Sequence, residues 1–248
     1  MMKKFENKVA VITGGNSGMG YGTAKLLKEL GATVIITGRR KEAIEQAAKE
    51  LGVHAVLSDQ GKLKDIDSLV SKVKDNFGKV DILFINAGIS GTSSIEQETP
   101  ENFDKMININ FRGVFFTLNK FIPQLNDGAS VVILSSVLAS TVSPGLSVYS
   151  ASKAAVNSIM KTAAIELAPR KIRVNAISPG AIDTELFSKM GMDEQTLAGM
   201  TDYLTSLTPL GRIGKPEEIG QLVAFLSSDE AAFITGSDHI IDGGSTLL

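Results

Sequence analysis

The sequence predicts an α/β protein: one doubly wound, parallel sheet with helices on both faces. Three observations carry this. Strand-like segments alternate with helix-like segments along all 248 residues. A glycine-rich turn, Gly14-Gly15-Asn16-Ser17-Gly18-Met19-Gly20, joins the first strand-like run to the first helical run. No internal repeat, low-complexity tract or Pro/Gly-rich linker divides the chain, so residues 1–248 read as a single domain.

Val9–Thr13 is an apolar, β-branched run, and the amphipathic run Gly18–Leu30 ends at Gly31, giving a strand–turn–helix unit. Strand Thr33–Thr37 then precedes helix Lys41–Leu51, strand His54–Ser58 precedes helix Lys64–Phe77, and strand Ile82–Ile85 precedes a long helix, Glu101–Leu125. Strand Ser130–Ser135 leads to helix Tyr149–Ala168, strand Arg173–Ile177 to helix Pro216–Ser227, and His239–Asp242 closes the series. Strands separated by helices of this length make βαβ units. Between Thr184 and Gly214 no strand is expected. Leu186, Phe187, Met190, Met192, Leu197, Met200, Tyr203 and Leu204, interspersed with polar residues, read there as one or two short inserted helices.

Two patterns carry chemistry. Glycines let backbone N–H groups approach a pyrophosphate, and a following helix N-terminus favours its negative charge; a tight βα turn without ligand gives the same pattern. The spacing is Gly-x-x-x-Gly-x-Gly rather than the Gly-x-Gly-x-x-Gly of the general dinucleotide fingerprint. In Tyr149-Ser150-Ala151-Ser152-Lys153 the i,i+4 relation places an ammonium one helical turn from a phenol. An adjacent ammonium favours the phenolate and lowers a tyrosine pKa from about 10, as general acid–base work requires. Read alone, the same pair is more often a solvated helix face.

Together, and at this separation, the two patterns resemble the short-chain dehydrogenase/reductase family. Thr13-Gly14-x-x-x-Gly18-x-Gly20 matches that family's cofactor loop, Asn86-Ala87-Gly88 its Asn-Ala-Gly element, and Pro179-Gly180 the turn after its sixth strand. The resemblance covers essentially the whole chain and implies a Rossmann-like, seven-stranded sheet in the order 3-2-1-4-5-6-7. It implies Asn110, Ser136, Tyr149 and Lys153 as catalytic residues. Ser136 and Tyr149 would donate to a carbonyl oxygen, with Tyr149 delivering the proton. Lys153 would hold the nicotinamide ribose and lower the tyrosine pKa, and Asn110 would bind a water linking Lys153 to solvent. Cofactor contacts are implied for Gly14, Asn16, Ser17, Gly18, Met19 and Gly20, for Asn86, Ala87 and Gly88, and for Tyr149 and Lys153. Asp59 would cap the adenine amino group, or serve as a helix cap, and Gln60 would contribute its backbone. After Pro179-Gly180, Ile182 and Thr184 would hold the nicotinamide carboxamide. The segment 184–214 would be a substrate lid, or a helical pair that packs on the domain. Homotetramers are implied through helices Glu101–Leu125 and Tyr149–Ala168, with Ile240–Leu248 in a second interface.

Cofactor choice follows from charge. Where a dinucleotide fold commonly places an acid for the ribose 2′-hydroxyl, this chain has Gly38, then Arg39 and Arg40. Two guanidiniums and no carboxylate favour a 2′-phosphate, hence NADP(H), with Arg39 as the first-choice ligand. Asn16 and Ser17 stand where many NADP-using relatives carry a basic residue, so NAD(H) stays open.

The expected activity is hydride transfer between nicotinamide and a ketone or secondary alcohol. A 3-oxoacyl-thioester reductase is the alternative, and a non-catalytic nucleotide-binding regulator a third. A net charge of −2 gives no basic face for nucleic acid. No cysteine is present, so disulfides, thiolate metal sites and cysteine nucleophiles are excluded. The hydroxyl pair needs no metal, and His54 and His239, inside expected strands, fit no metal spacing. With no apolar run near about 18 residues, no membrane partner is expected and a cytoplasmic location is the default.

Overall fold

A computed structural model describes residues 3–184 and 194–248. Seven strands form one sheet in the order β3-β2-β1-β4-β5-β6-β7, and every neighbouring pair is parallel. The strands are β1 Val9–Ile12, β2 Thr33–Gly38, β3 His54–Leu57, β4 Val80–Ile85, β5 Leu125–Leu134, β6 Arg173–Pro179 and β7 Asp238–Ile241. The helices are α1 Gly18–Glu29, α2 Lys41–Leu51, α3 Leu63–Phe77, α4 Pro100–Ile107, α5 Gly113–Phe121, α6 Ser147–Leu167, α7 Glu194–Ser206 and α8 Pro216–Leu226. The expected sheet and its order are therefore present.

Strand alternation sorts the core onto two faces. Ala10, Ile12, Val34, Ile36, Phe84 and Val132 pack against Leu27 of α1, Ile44 of α2 and Val223 of α8. Val11, Ile35, Leu83, Val131 and Val174 pack against Val73 of α3, Phe121 of α5 and Met160 of α6. Helices α1 and α8 approach closely because Gly22 and Gly220 face each other's backbone: a Cβ on Gly22 would meet Pro216 at 3.1 Å, and one on Gly220 would meet Thr23 at 3.2 Å.

Three boundaries differ from expectation in ways that matter below. β1 stops at Ile12, although the Thr13 N–H still bonds the Phe84 carbonyl of β4 at 3.0 Å. The helix expected over Glu101–Leu125 is broken by a π-helical turn, Asn108–Arg112, and Leu125 already belongs to β5. The helix carrying Tyr149 starts at Ser147, so Tyr149 sits within its first turn. His54 and His239 lie on β3 and β7, the two edge strands.

Of the segment expected as a lid, α7 falls among the described residues, while Leu186, Phe187, Met190 and Met192 lie outside them. Among the described residues no group of His, Asp and Glu converges as a metal site, and no helix is long and apolar enough to cross a membrane.

Candidate active site

The carboxyl ends of the strands carry nearly all the residues singled out from the sequence, as expected where a doubly wound sheet changes direction. β1 lies between β2 and β4, and the glycine loop leaves it at that switch. Gly14 has φ +67° and Gly18 φ +55°, both in the left-handed region. The loop is also sterically closed. A Cβ on Gly14 would meet Ala87 and Asn86 at 3.0 Å, one on Gly18 would meet the Thr184 side chain at 3.2 Å, and one on Gly20 would run into the Gly14 carbonyl. Ser17 is the N-cap residue of α1, whose first turn holds no acidic residue. The Met19 carbonyl accepts from Thr23 Oγ1 at 2.7 Å. Bare backbone at a helix N-terminus fits a pyrophosphate.

Thr13 fastens this loop to the end of β4. Its hydroxyl oxygen accepts from Asn86 N at 3.0 Å and Ala87 N at 2.9 Å. Asn86 Nδ2 in turn donates to the carbonyls of Thr13, at 2.9 Å, and Gly14, at 3.0 Å. Asn86 thus braces the loop from beneath. The matching motif contains Thr13, but its spacing does not reveal the hydroxyl as the brace.

At the end of β2, Arg39 and Arg40 are exposed, and Arg40 is the N-cap residue of α2. A Cβ on Gly38 would meet Asn16 Oδ1 at 3.0 Å and Ile44 at 3.3 Å, so Asn16 covers the position an acidic side chain would need. After β3, Asp59 Oδ1 accepts from Gly61 N at 3.0 Å, and its backbone N–H donates to Asp65 at 3.0 Å. Asp59 thereby shapes its own turn, and Lys62 Nζ stands 3.9 Å from its other oxygen.

After β6, Gly180 lies against Asp242, where a Cβ would approach to 2.8 Å, and its N–H bonds the Ile241 carbonyl at 3.0 Å. Ile182 is buried and bridges to Gly214. Pro179 is the last residue of β6, paired with Ile241.

The reacting groups expected from the sequence come together above β5. Ser136, two residues past the end of β5, lies close enough to Tyr149 for its hydroxyl to act on the phenol, and its Oγ accepts from Leu138 N at 3.2 Å. Lys153 is only 3% exposed. Its Nζ donates to the Leu134 carbonyl at 2.8 Å and lies 5.8 Å from the centre of the Tyr149 ring. Burial pushes the lysine down to about 8.

The expectation that Lys153 pulls the Tyr149 pKa down is not met. Burial raises the phenol above its usual 10, the Ser136 hydrogen bond opposing it only in part. The physical reason is desolvation, which disfavours the charged form of each group.

Asn110 is fully buried in the π-helical turn. Its Oδ1 accepts from Ile89 N at 2.9 Å, and its Nδ2 donates to Ile89 O at 2.8 Å, with Ser152 Oγ at 3.4 Å and Met106 Sδ at 3.1 Å. Gly88 lies between Asn110 and Lys153: a Cβ there would sit 3.3 Å from Asn110 Oδ1 and 3.8 Å from Lys153 Nζ. Gln60 is buried behind this turn and donates to the carbonyls of Ala87, at 2.8 Å, and Ile109, at 3.2 Å.

Two further depressions lie away from these groups. One, of about 680 Å³, opens at the amino ends of the strands between Lys8, Asp81, Arg173 and Glu230. The other, of about 300 Å³, runs between α5 and α6 past Phe115, Ile159 and Glu166.

A family model described as enoyl-(acyl carrier protein) reductase matches residues 14–246. A 3-oxoacyl-(acyl-carrier-protein) reductase FabG of Thermotoga maritima is 38% identical over 98% of this chain and 100% of its own length. An NADP-dependent (R)-specific alcohol dehydrogenase of Lentilactobacillus kefiri is 35% identical over 99% of each chain. Among solved structures, a short-chain dehydrogenase/reductase described as a glucose/ribitol dehydrogenase, from Brucella melitensis, superposes with a TM-score of 0.92 at 32% identity over 99% of both chains. The loop braced beneath by Asn86, the Ser136–Tyr149 pair above a buried lysine and these likenesses over the full length agree: the chain belongs to the short-chain dehydrogenase/reductase family of NAD(P)-dependent oxidoreductases.

Proposed function

We propose that the protein is an NADP(H)-dependent reductase of ketones, running as a secondary-alcohol dehydrogenase in reverse, with Tyr149 as general acid and base. The observation that carries this reading is the convergence of Ser136 and Tyr149 beside the buried Lys153, whose Nζ lies 5.8 Å from the centre of the Tyr149 ring. When bound, the nicotinamide supplies a hydride for reduction or accepts one in oxidation. Ser136 and Tyr149 direct two hydroxyl donors at the carbonyl oxygen, and Tyr149 gives its proton as negative charge develops there. A phenol held above its ordinary pKa stays protonated at neutral pH and is ready to donate. Lys153, poised near 8, holds the nicotinamide ribose and returns a proton towards Tyr149. Asn110 holds the chain beside Gly88 so that a water can join Lys153 to solvent.

The rest of the cofactor is held by the strand ends. Gly14, Asn16, Ser17, Gly18, Met19 and Gly20 take the pyrophosphate and its ribose, while Asn86, Ala87 and Gly88 back the adenosine. Asp59 and the backbone of Gln60 face the adenine side, and Pro179, Gly180, Ile182 and Thr184 line the nicotinamide. Arg39 grips a 2′-phosphate with Arg40 beside it, and Asn16 crowds the Gly38 position where a ribose-binding acid would stand. The Lentilactobacillus relative is named as NADP-dependent, which supports this preference. Four copies assemble through α5 and α6.

The likeness to the Thermotoga enzyme favours one second reading, reduction of 3-oxoacyl thioesters on a carrier. A bare nucleotide-binding role is disfavoured, because Tyr149 and Lys153 are both in place. Measuring kcat/KM for simple ketones and for 3-oxoacyl thioesters, free and carrier-bound, with NADPH and NADH, decides between the readings. Turnover of ketones with NADPH well above NADH supports the first, and a large gain on carrier attachment would replace it with the second. No turnover in either direction would leave only nucleotide binding.

A further inference from the structure

The geometry points to Gln60 as a positioning residue that holds the π-helical turn and, through it, Asn110. This rests on the reading of Asn110 as part of the reaction centre. Within Asn108–Arg112 the Gly113 N–H bonds the Asn108 carbonyl, five residues back. An α-helix would have sent that N–H to Ile109. The Ile109 carbonyl therefore loses its ordinary partner, and Gln60 Nε2 supplies a donor to it at 3.2 Å. The same amide nitrogen donates to Ala87 O at 2.8 Å, in the loop that precedes Gly88. One side chain thus ties both strands of backbone that flank Asn110 and Gly88.

Two neighbouring contacts reinforce the tie. Asn108 Nδ2 donates to Gly61 O at 2.9 Å, fixing the start of the π turn to the residue after Gln60. Gly113 has no side chain where the chain crowds most: a Cβ would collide with the Gln60 carbonyl and stand 2.8 Å from Gln60 Cγ. The arrangement is also costly. Gln60 is 7% exposed, and its Oε1 is buried with no partner among the described residues. A buried, unsatisfied acceptor is destabilising, and an apolar side chain of the same length would avoid it. The two donors of the amide are what the position gains. Because Asn110 and Lys153 both approach Gly88, a slack π turn would misplace the proton route while leaving the glycine loop intact.

The test compares Gln60→Met, Asn110→Ala and the double variant of the full-length enzyme, reading kcat, KM and Kd for NADPH, and Tm. Gln60→Met is expected to lower kcat by about tenfold with NADPH Kd within about twofold, and to add nothing further in the Asn110→Ala background. Gly113→Ala, which crowds Gln60 from the other side, is expected to reproduce the kcat loss, and it serves if Gln60→Met does not fold. An unchanged kcat, or losses in kcat, NADPH affinity and Tm that move together, would overturn the proposal. Independent, additive losses in the double variant would overturn the coupling while keeping Asn110 in the reaction. An Asn110→Ala variant with full activity would instead overturn the reading of Asn110 on which the proposal rests, and the proposal with it.

Discussion

Burial acts on Tyr149 and Lys153 in opposite directions, raising the phenol and lowering the ammonium to about 8, so that both are pushed towards neutrality. The consequence for Lys153 is a stability cost. Its folded pKa lies below the unfolded 10.5, so between about 8 and 10.5 the folded state binds fewer protons, and stability rises with pH across that window. Below pH 8 the cost is fully present, about 3 kcal/mol from a shift of this size, offset by about 1 kcal/mol from the Leu134 bond. Lys153→Met is therefore expected to abolish turnover yet melt a few degrees higher at pH 7, with the advantage shrinking as the pH rises from about 8 to 10.5. Equal or lower Tm at pH 7, by calorimetry, would show that the ammonium is better satisfied than its burial implies.

The second residue-scale prediction concerns Arg39. An exposed guanidinium on a 2′-phosphate contributes a preference of about ten- to a hundredfold for NADPH. Arg39→Asp should reverse it in steady-state kinetics by repelling the phosphate and offering the ribose an acceptor. Because Arg39 is one residue past Gly38, the reversal does not require Asn16 to move. Equal use of NADH by the unmodified protein would place Arg39 in solvent.

The glycine loop and the π turn are the elements on which the site depends. Gly20 cannot accept a Cβ without displacing the Gly14 carbonyl or Asn86 Nδ2, 2.7 Å away. Gly20→Ala should therefore cost about 1–3 kcal/mol in stability and weaken NADPH binding at least about tenfold, read by fluorescence titration. Retained affinity would mean the loop adapts. This loop was legible in the sequence, since glycine spacing reports backbone crowding directly, and so were the strand order and the meeting of Ser136, Tyr149 and Lys153. The break in the helix over Glu101–Leu125 was not. Its periodicity continues through Phe111, Val114, Phe115 and Leu118, while a side chain bonded to the broken turn, Gln60, is remote in sequence. The raised pKa of Tyr149 was equally invisible, because spacing placed Lys153 near the ring but could not reveal how deeply the phenol is buried.

At the scale of the whole molecule, two surfaces remain apolar. Phe115 on α5 is 44% exposed and Ile165 on α6 is 78% exposed, beside the groove between those helices. Leu247 and Leu248 are more than four-fifths exposed at the C-terminus. Exposed apolar faces of this kind mark interfaces, and light scattering at micromolar concentration should give four times the chain mass of 26.3 kDa. A monomer would contradict the proposed assembly. The central claim, that a tyrosine proton and a nicotinamide hydride meet at one carbonyl, is tested most directly by Tyr149→Phe. The variant should bind NADPH with Kd within about twofold of wild type and reduce ketones at least about a thousandfold more slowly, since the ring is kept and only the proton donor is removed. A phenylalanine variant that keeps a tenth or more of the wild-type kcat would contradict the account.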